Sequence, residues 1–317
     1  MSRVAAIDCG TNSIRLLVAD VTTSSDGAVH LRDVHREMRI VRLGQGVDAS
    51  GVLAPEALER TRAALADYTA VLRRKGTERV RMVATSATRD AANREDFFGM
   101  VRSTLGTDAE VISGDEEAAL SFVGAVGDLE PDDGPFVVVD VGGGSTELVV
   151  GDLVDGKASV REARSVDVGS VRITERCLHG DPPTAAEVDE ARRVATGILD
   201  EAFDAVDTRD VRTWVGVAGT ITTLSGIAQR LPAYDPDAVH LSRLTLDDVH
   251  RVAEELLGMS RAQRAELGAL HPGRIDVIGG GALIVDVLAA ELHARAGITE
   301  LVVSEHDILD GIARSIA

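Results

Sequence analysis

Val4-Ala-Ala-Ile-Asp-Cys-Gly-Thr-Asn-Ser-Ile-Arg-Leu-Leu-Val-Ala19 and Phe136-Val-Val-Val-Asp-Val-Gly-Gly-Gly-Ser-Thr-Glu-Leu-Val-Val150 are one pattern written twice. Each is a short apolar run, then Asp-x-Gly, two small or polar residues, Ser, and a second apolar run. Asp8, Gly10, Ser13 and Leu16 recur 132 positions later as Asp140, Gly142, Ser145 and Leu148. β-Branched runs on both sides of a glycine-centred break predict a hairpin. Two copies predict two similar lobes, each opened by such a hairpin.

Strand and helix patterns alternate outward from both hairpins. Residues 55–75 predict a helix, with Pro55 in its first turn and Leu58, Leu65, Tyr68 and Leu72 on one apolar face. A strand over 80–84, a helix over 93–105 and a short strand over 110–113 follow, the last leading into a helix from Asp115. The second half predicts helices over 184–206 and 246–257, strands over 213–217, 275–278 and 301–303, a helix that follows the 275–278 strand and runs through His293, and a closing helix. Such alternation implies an α/β fold with mixed sheets. The turn-rich acidic stretch Gly127-Asp-Leu-Glu-Pro-Asp-Asp-Gly-Pro135 marks a boundary. The expected lobes are 1–128 and 129–305, with 306–317 packing back on the first lobe and a cleft between the two.

The 317 residues suffice for two lobes of about 150 residues each. Apolar and charged fractions of 44% and 27% belong to ordinary globular chains. Cys9 and Cys177 are too few and too isolated for a disulfide framework or a zinc site. The eight histidines show no metal-ligand spacing, and the dipeptide His306-Asp307 reads as chance. No run approaches the roughly 18 apolar residues of a membrane span, and Asp8 interrupts the N-terminal apolar run before a signal-peptide core forms. The expectation is a cytoplasmic chain with no membrane partner. A net charge of −19 argues against a nucleic-acid partner. The charge is uneven: residues 1–112 hold 16 Lys+Arg against 15 Asp+Glu, and residues 113–317 hold 17 against 37. A polyanion would therefore lay its tail on the first lobe, where Arg36, Arg39, Arg42, Arg73, Arg74, Lys75, Arg79 and Arg81 concentrate, unless these are simply solvated faces.

The two tips carry the chemistry. Glycine admits positive φ and has no Cβ, so Gly10-Thr11-Asn12-Ser13 and Gly142-Gly143-Gly144-Ser145-Thr146 can each offer successive backbone N–H groups to phosphate oxygens. Seven residues after each hairpin Asp, one copy carries Arg15 and the other Glu147. Strand alternation puts them on the faces of Ser13 and Ser145. Arg15 is either a phosphate cation or half of a structural ion pair. Asp140 and Glu147 make an all-oxygen site suited to Mg²⁺, with Asp8 as a third candidate ligand. In Val111-Ile-Ser-Gly-Asp-Glu-Glu-Ala-Ala-Leu120, Ser113 to Asp115 form a turn and cap. Glu116 and Glu117 fall in the first helical turn, where acids are favoured in any case by about 0.3–1 kcal/mol each.

Six ordered segments carry a resemblance: Ala6-Ile-Asp-Cys-Gly-Thr-Asn-Ser13, Ala84-Thr-Ser-Ala-Thr-Arg-Asp-Ala-Ala-Asn93, Ile112-Ser-Gly-Asp-Glu-Glu-Ala118, Asp140-Val-Gly-Gly-Gly-Ser-Thr-Glu147, Gly169-Ser-Val-Arg-Ile-Thr-Glu175 and Gly216-Val-Ala-Gly-Thr-Ile-Thr-Thr-Leu224. Together they resemble the exopolyphosphatase / guanosine pentaphosphate phosphohydrolase family from residue 3 to about 312. The resemblance implies the two-lobed actin/hexokinase/Hsp70-like (ribonuclease H-like) fold and hydrolysis of the terminal phosphoanhydride of inorganic polyphosphate or guanosine pentaphosphate. It implies Mg²⁺, leaving Mn²⁺ and an added monovalent cation open, and a homodimer. It makes Glu117 the general base, Asp140 and Glu147 the metal residues, and Arg89 a phosphate clamp. Arg89 could instead form an ion pair with Asp90 or Asp96.

Longer members of that family carry a C-terminal helical region with an HD-type module that this chain does not reach, so a preference for short polyphosphates is expected. Two other classes remain from the same superfamily. A sugar or acetate kinase would need an adenosine pocket, to which Gly279-Gly-Gly-Ala282 could contribute if it is not merely a strand–helix turn. An ATP-driven binding module would need a partner surface that the sequence does not display.

Overall fold

The computed structural model describes residues 2–24 and 29–317. Contacts divide the chain into one unit of Met1–Gly124 with Ile308–Ala317 and a second of Ala125–Asp307. The break at 124/125 precedes the expected 128/129, and the return to the first unit falls at Ile308.

In the first unit, β1 (Ser2–Cys9), β2 (Ser13–Thr23) and β3 (Val29–Ile40) form an antiparallel meander. There follow α1 (Val47–Ser50), α2 (Pro55–Lys75), β4 (Arg79–Ala84), α3 (Ser86–Asp90), α4 (Arg94–Leu105), β5 (Glu110–Val111) and α5 (Gly114–Ala125). The sheet order is β3-β2-β1-β4-β5, with β4 parallel to both β1 and β5. Pro55 starts α2 where a missing N–H costs nothing, and Gly76, at φ 67°, ends it. Alternate side chains of β1 cover both faces of the sheet. Ala5, Ile7 and Cys9 pack with Leu65, Tyr68 and Phe97 of α2 and α4. Val4 and Ala6 pack with Ile308, Leu309 and Ile312 of the returning segment.

The second unit repeats the plan. β6 (Phe136–Val141), β7 (Thr146–Val154) and β8 (Lys157–Val166) form its meander. After it come α6 (Ser170–Cys177), α7 (Ala185–Ala205), β9 (Thr213–Val217), α8 (Ala218–Ala228), α9 (Pro236–Val239), β10 (Arg243–Thr245), α10 (Leu246–Gly258), α11 (Arg261–Arg264), α12 (Ile278–Ala296) and β11 (Glu300–Val303). The order β10-β11-β9-β6-β7-β8 again joins parallel strands to the first strand of the meander. Thr184 and Glu187 close a reciprocal capping box at the start of α7, a device worth about 1 kcal/mol. Among the described residues no helix is long and apolar enough to cross a membrane.

The last helix, α13 (Ile308–Ser315), belongs to the first unit. Its Asp310 is buried and accepts from Arg36 Nη2 on β3 at 2.5 Å. Gly311 crosses α5 so closely that a Cβ there would lie 2.0 Å from the Leu120 carbonyl oxygen.

One expected strand is absent. Residues 275–278 leave a 3₁₀ turn at Pro272–Arg274 and lead straight into α12. Four residues are too few for periodicity to separate strand from helix. The glycines of 279–281 lie inside α12 rather than in a strand–helix turn. Each costs about 0.8–1 kcal/mol relative to Ala in a free helix, but packing at Gly280 and Gly281 leaves no room for a Cβ. A Cβ on Gly280 would meet Thr174 Oγ1 at 2.4 Å, and one on Gly281 would meet Thr220 Cγ2 at 2.6 Å.

Candidate active site

Both hairpins close in the same register. Asp8 stands opposite Arg15 and Asp140 opposite Glu147, and the tips are tied by Gly10 N–H to Ser13 O at 3.0 Å and Gly142 N–H to Ser145 O at 3.1 Å. Expected positive φ values do not occur: Gly10, Gly142, Gly143 and Gly144 are absent from the chain's left-handed glycines. Small size matters here for close approach. A Cβ on Gly169, just before α6, would lie 2.5 Å from the carbonyl carbon of Gly143, and one on Gly44 would lie 2.4 Å from Thr11 Cγ2.

That close approach pins the tip carbonyls. In the second unit Ser170 N–H donates to Gly142 O at 2.9 Å, Val171 and Arg172 N–H donate to Gly143 O at 2.8 and 3.2 Å, and Arg172 Nε donates to Gly144 O at 2.8 Å. In the first unit Gly44 N–H takes Thr11 O at 2.8 Å, while Val41 and Arg42 N–H take Asn12 O at 3.0 and 2.8 Å. Arg60 of α2 holds that loop through Val41 O, at 2.8 Å. These tip peptides are trans, so each N–H points opposite to its carbonyl. Gly143, Gly144 and Ser145 N–H therefore face away from α6, and Asn12 N–H faces away from the 41–44 loop. No protein acceptor meets these four groups among the described residues. Successive outward amides make an anion-binding concavity.

The side chains of the tips are more committed. Thr146 Oγ1 donates to Val168 O at 2.6 Å in a fully buried position, so its hydroxyl proton is unavailable to phosphate. Thr11 Oγ1 lies 2.9 Å from Ser86 Oγ. Of its two readings, Arg15 takes the ion pair: its Nε and Nη2 reach Asp8 Oδ2 at 3.0 and 2.7 Å. Both donors meet the one oxygen Oδ2, while Asp8 Oδ1 makes no hydrogen bond among the described residues, so the ion pair does not decide against Asp8 as a metal ligand.

Asp140 and Glu147 are 6% and 1% exposed and directly opposed on neighbouring antiparallel strands, which sets their Cβ atoms about 5 Å apart. Ser165 Oγ donates to Glu147 Oε1 at 2.7 Å. Two buried carboxylates this close repel unless a cation or a shared proton lies between them. Their hard oxygens fit Mg²⁺, which is often held by one or two carboxylates together with substrate phosphates.

At the start of α5 the two glutamates separate. Ser113 Oγ caps Glu116 N–H at 3.2 Å, and Glu116 turns outward to Arg81 Nη2 at 2.7 Å. Glu117 is buried at 8% exposure and meets Arg89 Nη1 at 3.2 Å. Helix-dipole preference accounts for an exposed acid such as Glu116 but not for a buried one. Arg89 binds Glu117 and the Ile112 carbonyl, at 3.2 Å each, in place of Asp90 or Asp96. Its Nε and Nη2 make no protein bond among the described residues.

Three of the eight residues of the basic track expected for a polyanion tail are paired with acids. Arg36 serves Asp33 and Asp310, Arg39 serves Glu37 and Asp67, and Arg81 serves Glu110 and Glu116. Arg79 reaches Ser2 Oγ and the Ala317 carbonyl.

Sequence spacing missed one cluster altogether. His306 Nδ1 lies 2.5 Å and His240 Nε2 3.6 Å from Asp128 Oδ2, so His306 has partners after all. The two imidazoles hold the Asp128 carboxyl far below the usual carboxylate range. Glu305 N–H donates to His240 Nδ1 at 3.3 Å, which leaves that ring's proton on Nε2, facing Asp128. A metal at Nε2 would have to displace this proton onto the nitrogen facing Glu305 N–H, so the group reads as a hydrogen-bonded ion cluster. A second cluster, His250, Glu254 and Asp286, already holds the Arg192 guanidinium, at 2.7 Å from Asp286. Burial pushes the Cys9 thiol well above its ordinary value, which removes it as a nucleophile.

Residues 21–316 match the Ppx/GppA phosphatase family. Exopolyphosphatase 2 of Mycobacterium tuberculosis is 58% identical over 323 residues, spanning 100% of this chain and 99% of that protein. Among solved structures, an exopolyphosphatase-like protein superposes with a TM-score of 0.92 at 44% identity, over 99% of this chain and 100% of its own. The Aquifex aeolicus PPX-GPPA enzyme superposes at 0.79 with 32% identity, over 99% of each chain.

Proposed function

Because the chain belongs to the Ppx/GppA phosphatase family, we propose that it is an exopolyphosphatase, adding water across the terminal phosphoanhydride bond of inorganic polyphosphate and releasing orthophosphate. The name of the 58% identical mycobacterial relative supports the polymer as substrate. Guanosine pentaphosphate ends in the same kind of bond and is the substrate to compare. The proposal extends to a homodimer, as the resemblance implies, and to the cytoplasmic location expected from the sequence. The observation that carries the reading is the row of outward amides at Gly143, Gly144 and Ser145, whose carbonyls are all tied down behind them.

In this proposal Glu117 accepts the proton of the attacking water. The new bond joins the water oxygen to the terminal phosphorus, and the bridging P–O bond breaks, leaving a chain shorter by one phosphate. Arg89 Nη1 holds the Glu117 carboxylate in one orientation, and its other donors meet phosphate oxygens in a fork. The amides of Gly143, Gly144 and Ser145 stabilise charge on the non-bridging oxygens without reorganising. Mg²⁺, when bound by Asp140 and Glu147, adds positive charge against the same phosphates. Asp8 holds Arg15. Positioning and electrostatics thus dominate, as phosphoryl transfer requires.

The test is orthophosphate release from polyphosphate and from guanosine pentaphosphate, measured side by side. Faster release from polyphosphate is expected, and Glu117→Gln should lower turnover about 10²-fold or more with little change in affinity. A near-normal rate in that variant removes Glu117 from the role, and no release from polyphosphate refutes the reading.

A further inference from the structure

The first two pinned carbonyls of the second tip are held by backbone N–H groups at the start of α6, which any residue could supply. The third is held by a side chain. Arg172 Nε donates to Gly144 O at 2.8 Å, and the Arg172 side chain is only 13% exposed. The Gly144–Ser145 peptide is trans, so this bond sets the direction of the Ser145 N–H. We infer that Arg172 is a positioning residue that aims the Ser145 amide at a phosphate oxygen of the substrate. The inference rests on the phosphohydrolase reading and adds a residue to it.

The alternative use of an arginine, as a direct phosphate clamp, fits less well. Its Nε is committed to the tip and its Nη2 lies 3.8 Å from Asp167 Oδ1, on the side of a residue that is 67% exposed. Lysine cannot replace the function, because its ammonium is a single point on a flexible stem and does not reproduce a donor at the Nε position.

The experiment uses orthophosphate as a competitive inhibitor of polyphosphate hydrolysis by the full-length protein. Arg172→Met is expected to raise both the inhibition constant and KM about 10-fold, equivalent to ~1.4 kcal/mol, with a smaller fall in kcat. Arg172→Lys is expected to do the same, and it carries the test if the methionine variant does not fold. Asp167→Asn removes the charge near Nη2 but leaves the Nε bond, so wild-type constants are expected. Wild-type inhibition and KM in both Arg172 variants overturn the inference, as does an equal loss in Asp167→Asn. If the wild-type protein itself releases no phosphate from polyphosphate, the functional reading fails first; if it does and the Arg172 variants match it, only this inference fails.

Discussion

Gly169→Ala tests the tip geometry most directly. The new Cβ would lie 2.5 Å from Gly143 C and 2.6 Å from both Gly143 O and Gly144 N. All three are backbone atoms, so no side chain can swing away. Reaching an ordinary carbon–carbon contact requires the tip and the start of α6 to separate by about 1 Å. The bonds from Ser170 N–H to Gly142 O and from Val171 N–H to Gly143 O, now 2.9 and 2.8 Å, would then stretch to about 3.8 Å and cease to be hydrogen bonds. Losing two at about 1 kcal/mol each predicts a loss of ~2 kcal/mol in stability, read as the midpoint of urea unfolding. The same displacement turns three amides away from their target, and a misplacement of about 1 Å can cost 10²-fold in rate. Orthophosphate release should therefore fall about 100-fold in kcat/KM in a protein that remains folded at 25 °C. A folded Gly169→Ala protein with near-wild-type kcat/KM would falsify the claim that the pinned tip is the phosphate site.

Gly311→Ala should lower kcat more than it raises KM. The added Cβ would press on the Leu120 carbonyl, 2.0 Å away, and shift α5 one turn beyond Glu117; an unchanged kcat in a folded variant sinks this link. Asp128 has a carboxyl pKa held down in the folded state by His240 and His306. Its contribution to stability is therefore full above about pH 4 and fades as the pH falls below it. Asp128→Asn should flatten that acid limb in urea midpoints taken between about pH 5 and 2, and superimposable limbs for the two proteins would contradict the assignment.

Much of the fold was legible in the chain because local rules governed it. The doubled Asp-x-Gly pattern determined two hairpins of equal register, and Pro55 and Gly76 bounded α2 by backbone chemistry alone. The 275–278 segment was not legible, because a short apolar run fits a buried helix as well as a strand and only the packing of Gly280 and Gly281 against Thr174 and Thr220 decides between them. β3 and β8 also escaped notice. Their charged residues, exposed or half-buried, carry little apolar alternation, and pairing with β2 and β7 makes them strands.

The candidate residues divide in the same way. Sequence alone determined which side chains stand near the tips, since residues adjacent along a hairpin stay adjacent in space. It could not decide which of those groups are already engaged. Arg15 on Asp8, Thr146 on Val168, Arg89 on Glu117 and the meeting of Asp128, His240 and His306 all join residues by directional bonds that spacing does not encode. The direction of the tip amides is the plainest case. Glycines permit it, but the carbonyl partners on α6 and on the 41–44 loop impose it, and those partners reach the tips only once each unit has folded.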